Sequence, residues 1–336
     1  MKRKLLIAVA FLATMTAAAQ NIAAVSPSNA TTIYQTLDEA IVGAESGSTI
    51  YLPGGGFQIS DETKINKRLT IMGVSHRGDT DNVDGATVIG GNLWFNEGSS
   101  GSAVLGCYII GNVNIGEDGI VNNVTVKLCN LDVVNVKNNN CTGTLINNCY
   151  IRGYACNFSN AAVTVKNNIM TAIHSMTGGI VKNNILTAEG GKIGGGMTSG
   201  NITFRNVHNT TICNNIILAT GEIEARGNND YSGARNSGLI TYKNMNKRAW
   251  GEDAIDISAE WDEVFKKYNN GAISPVSNFH FKDEYKEYEN QVGIYAGDSF
   301  SDDKSLAPIP RIISKKVADC TDESGKLQII VKVKAQ

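Results

Sequence analysis

Charge is sparse in this 336-residue chain, at 18 % of residues, and proline is scarcer still, with 5. Acidic side chains are nearly missing from its middle: between Val121 and Thr220 only Asp132 and Glu189 carry a carboxylate. Glycoside hydrolysis needs two carboxylates flanking the bond, and a Ca²⁺ cage needs several oxygen ligands. The central hundred residues therefore exclude both in their usual form. No basic excess exists either. Thirty Lys and Arg stand against 32 Asp and Glu, a net charge of −2, which argues against a nucleic-acid or anionic-membrane binder. No Cys-x-x-C occurs, and no apolar run is long enough to span a bilayer. The glycines at 190–191 and 194–196 lack the Lys-Ser/Thr and the βαβ context of a nucleotide loop, and are read as shaping an insertion.

Hydrophobic residues make up 42 %, so the low charge signals a packed chain and not disorder. Gly (35) and Asn (37) are both over-used. These are the two residues that tolerate positive φ, so the chain turns corners often. At the start, Lys2, Arg3 and Lys4 precede an apolar run from Leu5 to Ala13 and an Ala-rich segment ending at Gln20. This reads as a secretory leader over 1–19, cleaved after Ala19, with a secreted, periplasmic or cell-surface destination. Its removal takes the formal charge from −2 to −5. The seven cysteines are odd in number, and several lie in strand-like apolar runs, as in Ile212-Cys213-Asn214. They are expected to be mostly free, buried thiols.

The asparagines carry a repeat. Asn-Asn recurs at 122–123, 147–148, 167–168, 183–184 and 214–215, at spacings of 25, 20, 16 and 31 residues, each with a β-like flank. No helical period intervenes between residues 86 and 220. A unit near 20 residues with a fixed Asn corner suits an all-β, right-handed parallel β-helix, in which coils stack at a rise of ~4.8 Å. Stacked Asn amides would bond along the ladder. A β-sandwich or propeller would need regular hairpins or longer blades, which this repeat does not supply.

Two stretches carry a resemblance. Tyr34 to Ile41 reads as a short amphipathic helix; Gly47-Ser-Thr-Ile-Tyr-Leu-Pro-Gly-Gly55 and Ile65-Asn-Lys-Arg-Leu-Thr-Ile-Met-Gly73 follow. This opening resembles pectate-lyase-like β-helices, whose first helix caps the open end of the coil. Val292 to Gly297 and Leu306 to Ile312 resemble the tail of secreted β-helix proteins of unassigned function from gut Bacteroidetes-type bacteria. The coil is expected over 20–245. A C-terminal cap over 246–336 follows, with a helix at Ser258–Lys267 and strands at Arg311–Lys316 and Lys326–Lys334 around a Glu323-Ser324-Gly325 turn.

The resemblance implies an activity on polysaccharide along one sheet of the central coils. Counting two corners on from each Asn doublet places Asp132, Tyr154 to Phe158, His174 and Lys192 on adjacent rungs of one face. Asp132, Tyr154, Phe158, His174 and Lys192 are therefore the candidate ligand-binding residues, weighed against a plain solvated strand face. If the protein is a uronate lyase, His174, Lys192, Arg152 and Tyr154 are the candidates for base and substrate grip. No catalytic constellation is otherwise present. Asp79, Asp81 and Asp84 form a loose Ca²⁺ pattern, spoiled by Val83 at a ligand position, and read first as a solvated loop. No other metal or cofactor is expected. The expected protein is a monomer that binds a polysaccharide or cell-surface glycan, or serves as an adhesin-like module. An atypical polysaccharide lyase is the alternative.

Overall fold

The computed structural model describes residues 21–77, 85–153, 155–187, 203–218, 223, 236–247, 249–268, 277–297, 311–318, 320–321 and 324–334. Residues 1–19, read above as a leader, and Asp79, Asp81, Asp84, Tyr154 and Lys192 lie outside these residues. Within them the chain winds as a right-handed parallel β-helix. Each coil visits three sheets in turn. Thr125–Lys127 lies in sheet A, Asn130–Leu131 in sheet B and Val134–Val136 in sheet C, and Thr144–Asn147 then returns to sheet A. Sheets A, B and C contain 11, 10 and 6 strands. Stacking places Ile71, Val104, Val126, Ile146, Val165, Val181 and Ile212 in one inward column of sheet A, all fully buried.

The tight corner between sheets A and B shows why Asn recurs. Its first residue adopts left-handed φ: Asn148 (54°), Asn167 (54°), Asn183 (57°) and Asn214 (56°). Its second residue points inward. Asn168, Asn184, Asn215 and Asn244 are fully buried there. The backbone N–H and Nδ2 of Asn168 both donate to Asn184 Oδ1 (2.9 and 3.0 Å), and Asn184 repeats this to Asn215 (2.9 and 3.0 Å). Asn215 does the same to Asn244, at 3.0 and 3.1 Å.

The register corrects the sequence reading of this repeat. The doublet at 147–148 is out of phase by one, so Asn148 turns the corner and Cys149 takes the inward place. The doublet at 122–123 marks another corner, the approach to sheet A, where Asn123 N–H donates to Thr142 O at 2.8 Å. Conversely Gly106-Cys107, Leu128-Cys129 and Lys243-Asn244 occupy the A–B corner without being doublets, with φ of 66°, 55° and 49° at their first residues. The column thus changes from thiol to amide along the coil. Cys149 Sγ donates to Asn147 O at 3.3 Å and Val126 O at 3.5 Å, the acceptor pattern Asn184 Nδ2 uses with Lys182 O and Val165 O. All seven cysteines are free, and only Cys320 is exposed. Burial pushes the Cys107 and Cys149 thiols well up from their ordinary value.

The ends also differ from expectation. The first helix runs Leu37–Gly43, opened by a Thr36/Glu39 capping box, and it closes the core with Leu37, Ala40 and Ile41. At the other end the ladder does not stop near 245, because Met245 pairs with Ile255 and Asn246 with Asp256. Trp250, stacked on Phe204 at 5.5 Å, covers the last coil. The expected helix at 258–267 shortens to the single turn Trp261–Val264, since Phe265–Lys267 is drawn into an antiparallel pair with Asn278–Phe281. This C-terminal segment is a side layer and not an end cap. Trp261, Val264, Phe265, Phe279, Phe281, Val292 and Ile294 pack on the outward row Tyr150, Ile169, Ile185, Ile216 and Met245 of sheet B. Among the described residues the last two strands, Arg311–Val317 and Ile329–Lys334, pair only with each other.

Candidate functional site

Sheet C has the opposite character to sheet B. On the side away from the core the register aligns Trp94, Asn114, Asn135, Asn157, His174 and Arg205 on six successive rungs, with Asn114 buried at 3 % exposure. Period-two alternation explains the row, because Leu93, Phe95, Val113, Ile115, Val134, Val136, Cys156, Ile173 and Phe204 turn inward. Lys64 lies over the Trp94 ring at 4.1 Å. Asn135 Nδ2 donates to Asn114 Oδ1 at 3.1 Å, so these amides stack like the inner ones.

Beside His174 the strands bend at Ser175 (φ 52°) and Asn206 (φ 54°). The bend brings a second polar group alongside. Asn206 Nδ2 reaches Ser175 Oγ (3.3 Å) and Asn160 Oδ1 (3.4 Å), and His208 bridges Asn206 Oδ1 (3.0 Å) and Ser237 Oγ (2.7 Å). Sequence reasoning set the 154–158 stretch, and with it Asn157, beside His174, but missed Trp94, Asn206 and His208 and the pairing of His174 with Arg205. Their juxtaposition depends on the number of residues inserted in each coil, and no local pattern encodes that number.

The expected column does not form as drawn. His174 is on the sheet C row, between Asn157 and Arg205. Asp132 lies three residues ahead of that row, at the corner between sheets B and C, where its N–H donates to Gly111 O at 3.1 Å. Phe158 is fully buried in the core, since it follows Asn157 and turns inward. Its ring cannot pack on a ligand. Arg152 is committed elsewhere. Its guanidinium pairs with Asp132 Oδ1 at 2.9 Å, donates to Tyr108 OH at 2.8 Å and to Ile109 O at 3.0 Å, and lies over the Tyr108 ring at 4.7 Å. This is a staple across the corner, and it occupies both Arg152 and Asp132.

Burial, and next the Arg205 charge, lower the pKa of His174 from the usual imidazole value to about 4. His174 is therefore neutral at pH 7, a hydrogen-bonding group next to a fixed cation. Its lowered folded pKa makes the imidazole a stabilising neutral group above about pH 6.5, with that contribution lost as pH falls toward 4. Two-dimensional NMR of the imidazole carbons should show no His174 titration between pH 8 and about pH 5. Arg205→Gln should move the midpoint upward, and a wild-type midpoint near 6.5 would contradict the burial argument.

The row can hydrogen-bond hydroxyls through amides and imidazole, stack on Trp94, and pair an anion at Arg205. No carboxylate belongs to it. Among the described residues no group of three His, Cys, Asp or Glu is placed to hold a metal ion. No family model, curated protein or solved structure matches the chain.

Proposed function

We propose that this protein is an exported, non-catalytic β-helix that binds glycan along sheet C. The observation that supports this best is the row Trp94, Asn114, Asn135, Asn157, His174, Arg205 on one side of sheet C, in which Asn114 is covered and the others reach the surface at least in part. An indole flanked by amides, an imidazole and a guanidinium is the mixture of one stacking platform and several polar groups that sugar recognition uses. Such a row suits a linear chain lying along the stack, as on a secreted or surface-attached member of the pectate-lyase-like superfamily. An adhesin-like role would use the same surface.

Binding is tested by titrating a panel of neutral and acidic polysaccharides with the protein and with Trp94→Ala and Arg205→Ala. The expected loss is at least about tenfold in affinity for each variant, the weight of one stacked ring or one charged hydrogen bond. Absence of binding to every polysaccharide would remove the reading.

One observation favours uronate lyase as a second reading. His174 is unprotonated at neutral pH and stands next to Arg205. Yet a base with a pKa near 4 is weak for abstracting a sugar proton, and so binding is preferred. Absorbance from unsaturated products, abolished by His174→Ala, would reverse that preference.

A further inference from the structure

Beyond the last strand of sheet C the fold lines up a hydroxyl, an imidazole and an amide. Val207 fills the core, which turns His208 outward, and Ser237 of the next coil pairs with His208. Ser237 Oγ lies 2.7 Å from His208 Nδ1, and Asn206 Oδ1 lies 3.0 Å from Nε2. The amide is oriented by its other end, because Asn206 Nδ2 donates to Ser175 Oγ (3.3 Å) and Asn160 Oδ1 (3.4 Å). Its Oδ1 is therefore what meets the imidazole. An amide oxygen only accepts, so Nε2 carries the proton of the neutral ring. Nδ1 is then the acceptor, and the Ser237 hydroxyl donates to it.

Two backbone features hold this line in place. Asn206 sits at left-handed φ (54°), which asparagine tolerates. Gly238, directly after Ser237, sits at φ 62°, and a Cβ there would meet Asn209 Oδ1 at 2.2 Å, so only glycine fits. Among the described residues the Gly238 N–H has no acceptor. An N–H directly after a nucleophile is a donor that ester hydrolysis uses for its developing oxyanion. Ser237 itself is exposed.

We propose that Ser237 and His208 hydrolyse short acyl esters, the class of bond that an O-acylated glycan on sheet C brings to them. The glycan backbone stays uncut, so the inference adds one reaction to the binding surface and takes its substrate from the glycan reading. His208 Nδ1 takes the hydroxyl proton as Ser237 Oγ bonds to the acyl carbon. The departing alkoxide receives that proton as its C–O bond breaks, which leaves an acyl-serine. Water then gives a proton to Nδ1 while its oxygen bonds to the same carbon; the acid departs and Ser237 recovers the proton. Asn206 is a positioning residue. Being neutral, it orients the imidazole without offsetting the charge of the imidazolium. That suits an ester, whose leaving group is better than that of an amide. Every partner in the network is polar, which favours a short acyl group over a fatty one.

The test is turnover of p-nitrophenyl acetate by the full chain, together with fluorophosphonate labelling and location of the label by peptide mass. The label is expected on Ser237. Turnover should exceed that of Ser237→Ala and of His208→Gln by at least about a hundredfold. Because Ser237 is exposed, Ser237→Ala should keep the thermal midpoint of the wild type, so its loss of turnover is chemical. Asn206→Gly keeps the positive φ and removes the amide. Its kcat should fall at least about tenfold with KM unchanged, and Asn206→Asp, which returns an acceptor to Nε2–H, should recover it. Equal turnover by wild type and Ser237→Ala overturns the proposal, as does a label absent from Ser237 or an unchanged kcat in Asn206→Gly. Turnover of the small ester without binding to any polysaccharide would remove the glycan reading and leave the Ser237 chemistry standing. Binding without turnover would do the reverse.

Discussion

Asn184→Ala is expected to lower the free energy of unfolding by about 4 kcal/mol, more than half of what a marginal domain possesses. Asn184 is fully buried, with no water to replace what it bonds. Its Oδ1 accepts from the backbone N–H and from Nδ2 of Asn168, at 2.9 and 3.0 Å. Its Nδ2 donates to Lys182 O (2.9 Å), Val165 O (3.0 Å) and Asn215 Oδ1 (3.0 Å). Truncation leaves the Asn168 backbone N–H orphaned inside the coil, removes a donor from three acceptors, and opens a small void. Each unsatisfied buried group costs about 1–3 kcal/mol. Asn184→Cys should recover about half of the loss. An earlier coil uses Cys149 at this place, with its thiol donating to the equivalent two carbonyls, but sulfur is a poor acceptor for the preceding coil's N–H, here that of Asn168. Urea denaturation of the three proteins decides the matter. A loss below about 1 kcal/mol for Asn184→Ala would show that the amides are not coupled along the column.

Glu289→Ala is expected to loosen the side layer by about 3 kcal/mol while leaving the coil intact. Glu289 is 7 % exposed and binds three donors. His280 Nδ1 contacts Oε1 closely, Lys286 Nζ reaches the same oxygen at 3.1 Å, and Phe281 N–H donates to Oε2 at 3.0 Å. His280 is in turn stacked on Tyr295 at 3.9 Å. The carboxylate therefore ties the strand Asn278–Phe281 to the segment around Tyr295. That segment is bonded to the coil, since Asn167 Nδ2 donates to Ile294 O and Ala296 O (both 2.9 Å), and Gly293 N–H donates to Asn214 O at 2.8 Å. Burial raises the Glu289 pKa, but the bonds from His280, Phe281 and Lys286 outweigh it, and the net direction is down. A carboxyl held below its unfolded value stabilises the fold above that value, about 4.3, and the contribution disappears as pH falls through the folded pKa. The difference between wild type and Glu289→Gln should therefore be full at pH 7 and vanish in strong acid. Amide exchange at Phe281 and Gly293 reports it locally, and equal protection in both proteins at pH 7 would refute the role.

The sequence by itself determined the architecture of the coil. Short apolar runs, Asn at positive-φ corners and a unit near 20 residues are local properties, each set by a few adjacent residues, and they sufficed for a parallel β-helix. They also located the carboxylate deficit, because a residue type that is absent cannot be supplied by folding. Only the tertiary structure decided which residues share a row. Insertions of unequal length shift the register between coils. Counting from the doublets thus put Asp132 and Phe158 beside His174, whereas one lies at a corner and the other inside. The same slippage hid the alignment of Trp94 and Arg205 with His174, since they come from rungs separated by coils of unequal length. It also hid the role of the C-terminal segment. An apolar stretch rich in Phe and Trp announces that it will be buried, but the surface it covers is set by the outward row Ile169, Ile185 and Ile216, and that row exists only after the coils have stacked.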